Sequence, residues 1–256
     1  MKKTRPAALA LTLAARAGCG DQGPKTAGGP PTRRRRQKEQ YKAIIADVFG
    51  ADIKIGGRFD PDIREDGLLA LGTSHVSVTP SSLEQYDGMA RAIAAQVVDE
   101  SHRDELVGCK PRSPKAPDAD CAGKFLSEVG RQLYRRPLTD VELKAQVGVA
   151  ADATKSLSSF YAGLETSLAT MLESPQFLFR KERAQPDPDH PGQYRLDAWS
   201  KATRLSFFLW NTAPDDELLN AAAHGDLDSR SELARQVDRL LASPRLEVGM
   251  RAFFAD

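Results

Sequence analysis

The sequence is poor in cysteine and histidine and has no long apolar run. Its 256 residues include 3 Cys and 4 His. No two histidines share the spacing of a metal site; they are His75, His102, His190 and His224. A membrane-spanning helix needs about 20 predominantly apolar residues, which no segment supplies. We therefore expect no metal site, no bound cofactor and no membrane-spanning helix.

Motifs of several enzyme classes are also missing. The chain has no Gly-x-Ser-x-Gly, no P-loop and no Gly-x-Gly-x-x-Gly, which excludes a serine-hydrolase elbow and the common nucleotide-binding loops. It also lacks Cys-x-x-Cys-His, the attachment motif of c-type haem. These absences narrow the possible chemistry but leave enzymatic and non-catalytic functions both open.

The chain has no large excess of positive or negative charge, but its charges are unevenly distributed along the sequence. The chain has 36 Lys and Arg against 35 Asp and Glu, a net charge of +1. Residues 1–37 hold nine of the basic residues and one acidic residue, which leaves 27 basic against 34 acidic residues in the remainder. A mildly acidic body is a poor match for the phosphates of a duplex, so no nucleic-acid partner is expected.

The N-terminus has the layout of a bacterial export signal. A basic start is followed by a short apolar segment, residues 7–15, and by an Arg-Ala-Gly-Cys sequence that ends at Cys19. This ending resembles a lipoprotein cleavage box, with Arg16 where an aliphatic residue is usual; plain secretion and an unprocessed tail are the alternatives. We predict a lipoprotein-type signal over residues 1–19, lipid on Cys19, and a chain anchored to a membrane in the periplasm, at the outer membrane or at the cell surface.

Residues 20–36 read as a tether between this anchor and the folded body. The segment is rich in Gly and Pro and ends in four consecutive arginines, residues 33–36. Such composition is typical of flexible linkers. We predict a flexible basic tether, with the arginines solvated near anionic head groups.

Two cysteines remain after Cys19, and they flank a loop rich in proline. Cys109 and Cys121 are separated by eleven mostly polar residues. An exported protein meets an oxidising compartment, which favours a disulfide between them. A metal or redox pair is the alternative, disfavoured by the long spacing and the absence of a neighbouring histidine.

Helical periodicity dominates the rest of the chain. We predict an all-α fold of helical modules joined by irregular loops, with at most a very short strand pair near residues 75–79. The modules span 37–105, 122–184 and 193–256, with a Cys-flanked loop at 106–121. The last helix reaches the final residues with no stop signal, so we expect the third module to be incomplete and the chain to be part of a longer protein.

Two helix starts carry the pattern of a capping box, in which a hydroxyl and a carboxylate three residues apart each satisfy a free N–H group. Thr139 and Glu142 form the first pattern, and Ser229 and Glu232 form the second. Both are expected to stabilise the helix that follows.

Four charged residues are candidates for a polar or anion-binding site. Arg135 and Arg136 can clamp a carboxylate or phosphate, and Asp215 and Asp216 can supply paired carboxylates. The structural alternative is that the arginines pair with acids at a helix junction and the aspartates cap a helix. A second acidic cluster lacks the spacing of a calcium loop; it contains Asp60, Asp62, Glu65 and Asp66.

An aromatic run, Phe207-Phe208-Leu209-Trp210, permits two interpretations. It can form a binding face, but apolar residues at helical spacing are more often buried in a core. The core interpretation is the one we expect.

Three stretches together resemble a known family. They are GRQLYRRPLTDVEL, SPQFLFRKE and ATRLSFFLWNTAPDDELL. The chain resembles exported bacterial proteins, common in planctomycetes and myxobacteria, assembled from domains of unknown function (DUF) 1587, 1595 and 1592. The resemblance runs in that order from about residue 33 to residue 256, and it implies no established activity.

Two functions follow as hypotheses. The first is an envelope-tethered scaffold or binding module that works with a partner enzyme or redox protein in the envelope. The second is part of an exported hydrolase or oxidoreductase whose active site is completed by further C-terminal domains. A deep cleft joining the four charged candidates would favour the second hypothesis.

Overall fold

The structure is a computed structural model that describes residues 33–59, 61 and 79–255. Eleven α-helices occupy most of this part of the chain, as the all-α prediction requires: α1 (Lys38–Phe49), α2 (Pro80–Val97), α3 (Arg103–Leu106), α4 (Ala119–Tyr134), α5 (Asp140–Leu157), α6 (Phe160–Glu173), α7 (Pro175–Leu178), α8 (Ala198–Leu209), α9 (Asp216–His224), α10 (Arg230–Ala242) and α11 (Arg245–Phe254). A short 3-10 helix, Asp226–Asp228, lies between α9 and α10. No helix among the described residues has both the length and the apolarity to cross a bilayer.

The strands are two short antiparallel pairs. Strand β1 (Arg33–Arg35) pairs with β2 (Phe179–Lys181), and β3 (Ala184–Pro186) pairs with β4 (Tyr194–Leu196). The predicted strand near residues 75–79 falls almost wholly outside the described residues. The pairs arise instead where the chain enters the first helix and where it passes from α7 to α8.

The pairing of β1 corrects one prediction. The arginines at 33–36 were expected in a solvated tether, but Arg35 is 2% exposed and Arg36 is 3% exposed. The β1–β2 ladder removes the backbone of this segment from water, and the Arg36 N–H donates to Leu178 O at 3.1 Å. Hydrogen bonding to β2 and to the last residue of α7 thus draws the end of the basic run into the body of the protein. The remainder of the predicted signal and tether, including Cys19, lies outside the described residues.

The buried apolar residues form two clusters. The larger one joins α1, α2 and the helices α4 to α7, and its fully buried side chains include Tyr41, Phe125, Phe160 and Phe177. The smaller one belongs to α8–α11 and is centred on Trp210, whose indole N–H donates to Leu240 O at 2.9 Å. Phe207 of α8 belongs to the larger cluster, so α8 is packed against both. The module boundaries themselves stay a prediction.

Polar contacts hold the end of α8 and the start of α11 against α1. Thr212 Oγ1 donates to Asp47 Oδ2 at 2.7 Å, and Arg245 forms an ion pair with the same carboxylate at 3.1 Å. Gln40 Nε2 donates to Asn211 Oδ1 at 2.8 Å. These contacts lie beside the cavity described below and position its walls.

The Cys109–Cys121 disulfide is present, which confirms the predicted pairing. It ties the segment after α3 to the first turn of α4. Asp118 caps that turn by accepting from Asp120 N and Cys121 N, and it also pairs with Arg112. Because the loop is closed covalently and capped at the same point, α4 starts from a fixed position.

Candidate functional site

Arg135 is an internal anchor at the end of α4. Its guanidinium donates to three backbone carbonyls, Leu133 O at 2.9 Å, Gln176 O at 3.0 Å and Phe179 O at 3.2 Å. Burial is the main cause that lowers the pKa of this guanidinium to about 9, and the charges of Arg180 and Arg136 add to it. The residue joins α4 to the segment around α7 and β2, which is a structural role.

Arg136 pairs with the capping box that starts α5. Its two Nη atoms donate to the Glu142 carboxylate at 2.8 and 2.7 Å. Glu142 also accepts from Thr139 N at 2.8 Å, while Thr139 Oγ1 accepts from Glu142 N at 3.2 Å. This geometry confirms the first capping box. It also means that the Arg136 guanidinium is already bound to a carboxylate of the protein.

The two aspartates are also engaged locally. Asp215 caps α9 by accepting from Leu218 N at 2.9 Å, and Arg239 holds it with two hydrogen bonds of 2.6 and 2.9 Å. Asp216 pairs with Arg131 of α4. The depression beside Arg135 and Arg136 has a volume of only about 20 Å³, and neither aspartate lines it. The structure therefore does not bring the four candidates into one cleft.

Acidic and histidine side chains give no metal centre in the described part of the chain. No group of three or more His, Cys, Asp or Glu residues there has metal-binding geometry. His102 bonds to Asp99 and His190 to Asp187, each three residues away. The acidic cluster at Asp60, Asp62, Glu65 and Asp66 lies outside the described residues.

A cavity of about 420 Å³ lies between β1, α1, β2, α8 and α11. Its size falls in the range of small-molecule sites in proteins. Its walls combine cationic, aromatic and amide groups: Arg34, Gln37, Gln40, Arg180, Glu182, Arg204, Leu205, Phe207, Phe208, Asn211, Gly249, Ala252 and Phe253. None of these residues is among the four charged candidates indicated by the sequence, although Phe207 and Phe208 belong to the aromatic run.

One pole of the cavity is built from arginines on the β1–β2 ribbon. Arg34 and Arg180 are directly opposite each other in the register of the pair. Burial, and next the charge of Arg34, lower the pKa of Arg180 to about 10. Like charges at directly opposed positions destabilise a strand pair, so this pole is costly in the protein without a ligand.

A phenylalanine wall stands next to this pole. The guanidinium carbon of Arg180 lies 4.8 Å from the ring centre of Phe207, and that of Arg36 lies 5.6 Å from the same ring. Phe208 and Phe253 meet edge to face at the rim, with their ring centres 6.3 Å apart. They are 65% and 58% exposed, so the rim presents two aromatic rings to solvent.

Another part of the lining consists of neutral amides. Gln40 is fixed by its bond to Asn211 and by accepting from Gln37 N at 3.3 Å. Asn211 has a φ of +56°, a left-handed conformation that asparagine tolerates better than most residues. These side chains offer hydrogen bonds without adding charge.

Sequence reasoning missed the cavity because its walls come from distant segments. The buried part of the aromatic run was anticipated, since Phe207, Leu209 and Trp210 belong to the two cores. The exposed Phe208 was not. One local feature of the sequence pointed to this region. Arg180 follows the apolar residues Phe177, Leu178 and Phe179, and a cation next to a buried apolar segment needs an anion or an aromatic face beside it.

Comparison with known proteins gives three family matches in chain order. Residues 34–99 match PSD3, Protein of unknown function (DUF1587); residues 121–182 match PSD5, Protein of unknown function (DUF1595); residues 196–256 match PSD4, Protein of unknown function (DUF1592). No curated protein and no solved structure matches the chain. All three matched segments contribute to the cavity, through Arg34, Arg180 and Phe207 among others.

Proposed function

Because the chain belongs to the proteins of unknown function that carry DUF1587, DUF1595 and DUF1592 segments in this order, we propose that it is an exported, envelope-tethered binding module. Its binding site is the cavity between the three segments. In this function it works with a partner enzyme or redox protein in the envelope, by presenting or retaining a small molecule.

The observation that carries the proposal is the composition of the cavity. It is a concave site that combines aromatic and aliphatic side chains with arginine and amide groups, and such a mixture of apolar surface and hydrogen-bonding groups is what a small molecule needs for affinity and orientation. The four candidate residues predicted from sequence hold caps and helix junctions together instead. Among the described residues, the cavity offers arginine and aromatic side chains that such local contacts do not fully engage.

All three matched segments contribute to the cavity, so a bound ligand should affect how they pack together. A ligand there touches β1 and α1 from the first matched segment, β2 from the second, and α8 and α11 from the third. Any ligand that binds the folded chain better than the unfolded chain stabilises the fold. Occupancy should therefore strengthen the docking of α8–α11 on the rest of the protein.

Export and tethering are supported by the sequence and by the disulfide. A basic start, a short apolar segment and Cys19 followed by a Gly- and Pro-rich stretch form a lipoprotein-type signal. Disulfides persist in oxidising compartments such as the bacterial periplasm, so the Cys109–Cys121 bridge is compatible with that location.

The test is a thermal-shift screen of small molecules on the full chain and on two alanine variants. Ala252 lines the cavity from α11, and Ala252→Leu should fill part of it. Ala242→Leu makes the same substitution at an exposed position of α10 and is the matched control. We expect ligands that raise the melting temperature of the parent and of Ala242→Leu by several degrees but leave Ala252→Leu unchanged.

Two results would count against the proposal. One is a set of ligands that stabilise Ala252→Leu as strongly as the parent, which would place binding elsewhere. The other is turnover of a compound by the purified chain that survives the Ala252→Leu substitution. That result would support the alternative hypothesis of an exported hydrolase or oxidoreductase with a different site.

A further inference from the structure

We propose that the cavity binds a small aromatic carboxylate, with its carboxylate between Arg34 and Arg180 and its ring against Phe207, Phe208 and Phe253. This inference rests on the proposed function and names the chemical class of its ligand. Three features of the cavity lead to it: two arginines that form no side-chain hydrogen bond or ion pair with the described residues, a glutamate that is already engaged, and two exposed rings at the rim.

The first feature is the absence of partners at the arginine pole. In the part of the chain that the structure describes, neither Arg34 nor Arg180 forms a side-chain hydrogen bond or an ion pair, and the Nε atom of each is buried. Both side chains are half-buried, and buried nitrogen atoms of side chains are ordinarily hydrogen-bonded. Two such cations directly opposed across a ribbon make a site where one anion can accept from both.

The second feature is that the acidic residue of the cavity is already engaged. Glu182 accepts from Arg204 Nε at 2.8 Å and from Arg204 Nη2 at 2.7 Å. This fork-to-fork pair uses both of its carboxylate oxygens, and it raises the pKa of Arg204. With three arginines and one glutamate in the lining, the cavity keeps a positive charge that a ligand can neutralise.

A fourth arginine, outside the lining, adds to the positive potential from behind the Phe207 ring. Arg36 is 3% exposed, and within the described residues none of its three guanidinium nitrogens has a hydrogen-bond partner. Its guanidinium lies 4.6 Å from the ring centre of Phe177 and 5.6 Å from that of Phe207. Aromatic faces offset part of the cost of burying a cation, but they do not supply the hydrogen bonds of an anion.

The rim indicates that the anion carries an aromatic body. Phe208 and Phe253 are largely exposed although they flank the cavity. A flat ring inserted beside them gains offset or edge-to-face contacts. A carboxylate attached to such a ring suits the planar guanidinium fork.

The test measures the dissociation constants of three probes by isothermal titration calorimetry on the full chain. The probes are 2-naphthoate, its neutral analogue 2-naphthamide, and acetate, which lacks the ring. We expect saturable binding of 2-naphthoate, with 2-naphthamide and acetate each weaker by about tenfold or more, the effect of losing one good charge-assisted interaction or the ring contacts.

Two variants on the same strand locate the carboxylate. Arg180→Met removes the charge and keeps an apolar stem, and it should weaken 2-naphthoate binding by about tenfold or more while leaving 2-naphthamide within about threefold. Lys181→Met removes a neighbouring charge from an exposed position outside this cavity. It should leave the binding of all three probes within about threefold.

The outcomes separate this inference from the proposed function. If 2-naphthamide binds the parent as tightly as 2-naphthoate, or if Arg180→Met binds 2-naphthoate like the parent, the carboxylate assignment is wrong. If no probe binds, the assignment is also wrong, while screen ligands that depend on Ala252 would still support a binding cavity. If neither probes nor screen ligands depend on cavity residues, both proposals fail.

Discussion

Arg135 occupies a left-handed backbone conformation, with a φ of +58°, at a helix end where glycine is usual. The side chain explains the choice, because only a long donor can reach the carbonyls of Leu133, Gln176 and Phe179 from this position. The arginines in this protein therefore differ in what their guanidinium groups contact. Arg135 and Arg136 donate hydrogen bonds within the fold, whereas the Nε atoms of Arg34 and Arg180 have no hydrogen-bond partner among the described residues.

Of the two capping boxes predicted from the sequence, the one at Thr139 is present and the one at Ser229 is not. Thr139 and Glu142 make both reciprocal bonds. The Ser229 hydroxyl accepts from no backbone N–H group of α10; it meets the hydroxyl of Ser231 at 2.9 Å, and Glu232 pairs with Arg235 at 2.8 Å. The same sequence pattern fails there because each member has a competing partner, which the pattern does not include.

We predict that Thr139→Ala lowers the free energy of unfolding by about 0.5–2 kcal/mol, because a free N–H group at the start of α5 loses its acceptor. Chemical denaturation of the purified chain measures this change. Ser229→Ala is the matched control and should change stability by less than about 0.5 kcal/mol, since no cap bond is lost. Equal losses in the two variants would refute the capping account of Thr139.

We predict that the stabilising effect of Glu142 disappears in acid. Its hydrogen bonds to Arg136 are the main cause that lowers the pKa of this carboxyl from about 4.5 to about 2. The ionised group therefore contributes stability that is present above about pH 4.5 and lost as the pH falls towards 2. Denaturation curves of the parent and Glu142→Gln should differ at pH 6 and converge near pH 2. A difference that stays constant over this range would contradict the assignment.

At the scale of elements, α5 and α6 cross at a glycine. A Cβ atom added to Gly163 would lie 2.1 Å from Thr154 Oγ1 and 2.4 Å from the backbone oxygen of Ala150. No side chain fits this point without the two helices moving apart. The helices themselves were predictable from their apolar period, but this close approach depends on which faces meet, and a single-helix pattern does not contain that information.

We predict that Gly163→Ala lowers the free energy of unfolding by about 1–3 kcal/mol, the usual cost of overpacking, which outweighs the gain in helix propensity. Gly148→Ala on α5 is the matched control, because nothing lies within 4 Å of the added atom. It should raise stability by about 0.5–1 kcal/mol through helix propensity alone. Urea denaturation of both variants measures the pair, and a stabilised Gly163→Ala would contradict the packing described.

The short strands show the limit of periodicity at this scale. Strands β1 and β2 have three residues each, too few to display an alternating pattern. Four consecutive arginines read as a solvated segment on charge alone, yet Arg35 and Arg36 are buried, and β2 and Leu178 supply hydrogen bonds to this backbone. The pairing joins segments about 145 residues apart, and nothing local in either segment specifies the other.

At the scale of the whole molecule, the helical class and the three family segments could be predicted from sequence, while the cavity could not. The helices follow from local apolar spacing and caps. The cavity depends on how α8 and α11 dock on α1 and the β1–β2 ribbon, through contacts such as Gln40 to Asn211 and Thr212 to Asp47. Those pairs are separated by 171 and 165 positions in the chain.

Location is a further prediction at this scale. We expect the mature chain to be held at a membrane by lipid on Cys19, and Cys19→Ser to move it from the membrane fraction to the soluble fraction of the producing cells. Quantitative immunoblotting of the fractions measures the shift, and mass spectrometry of the N-terminus reports processing. A variant that stays in the membrane fraction as fully as the parent would exclude lipid on Cys19 as the anchor.

The central claim is that Arg180 serves a ligand and not the stability of the fold. The most direct measurement is the melting temperature of the parent and of Arg180→Met, each with and without saturating 2-naphthoate. Removing a cation directly opposite Arg34 should make the ligand-free variant melt higher than the parent. The ligand should then raise the melting temperature of the variant clearly less than that of the parent. A variant that melts lower than the parent without ligand, and gains as much as the parent when ligand is added, would contradict the claim.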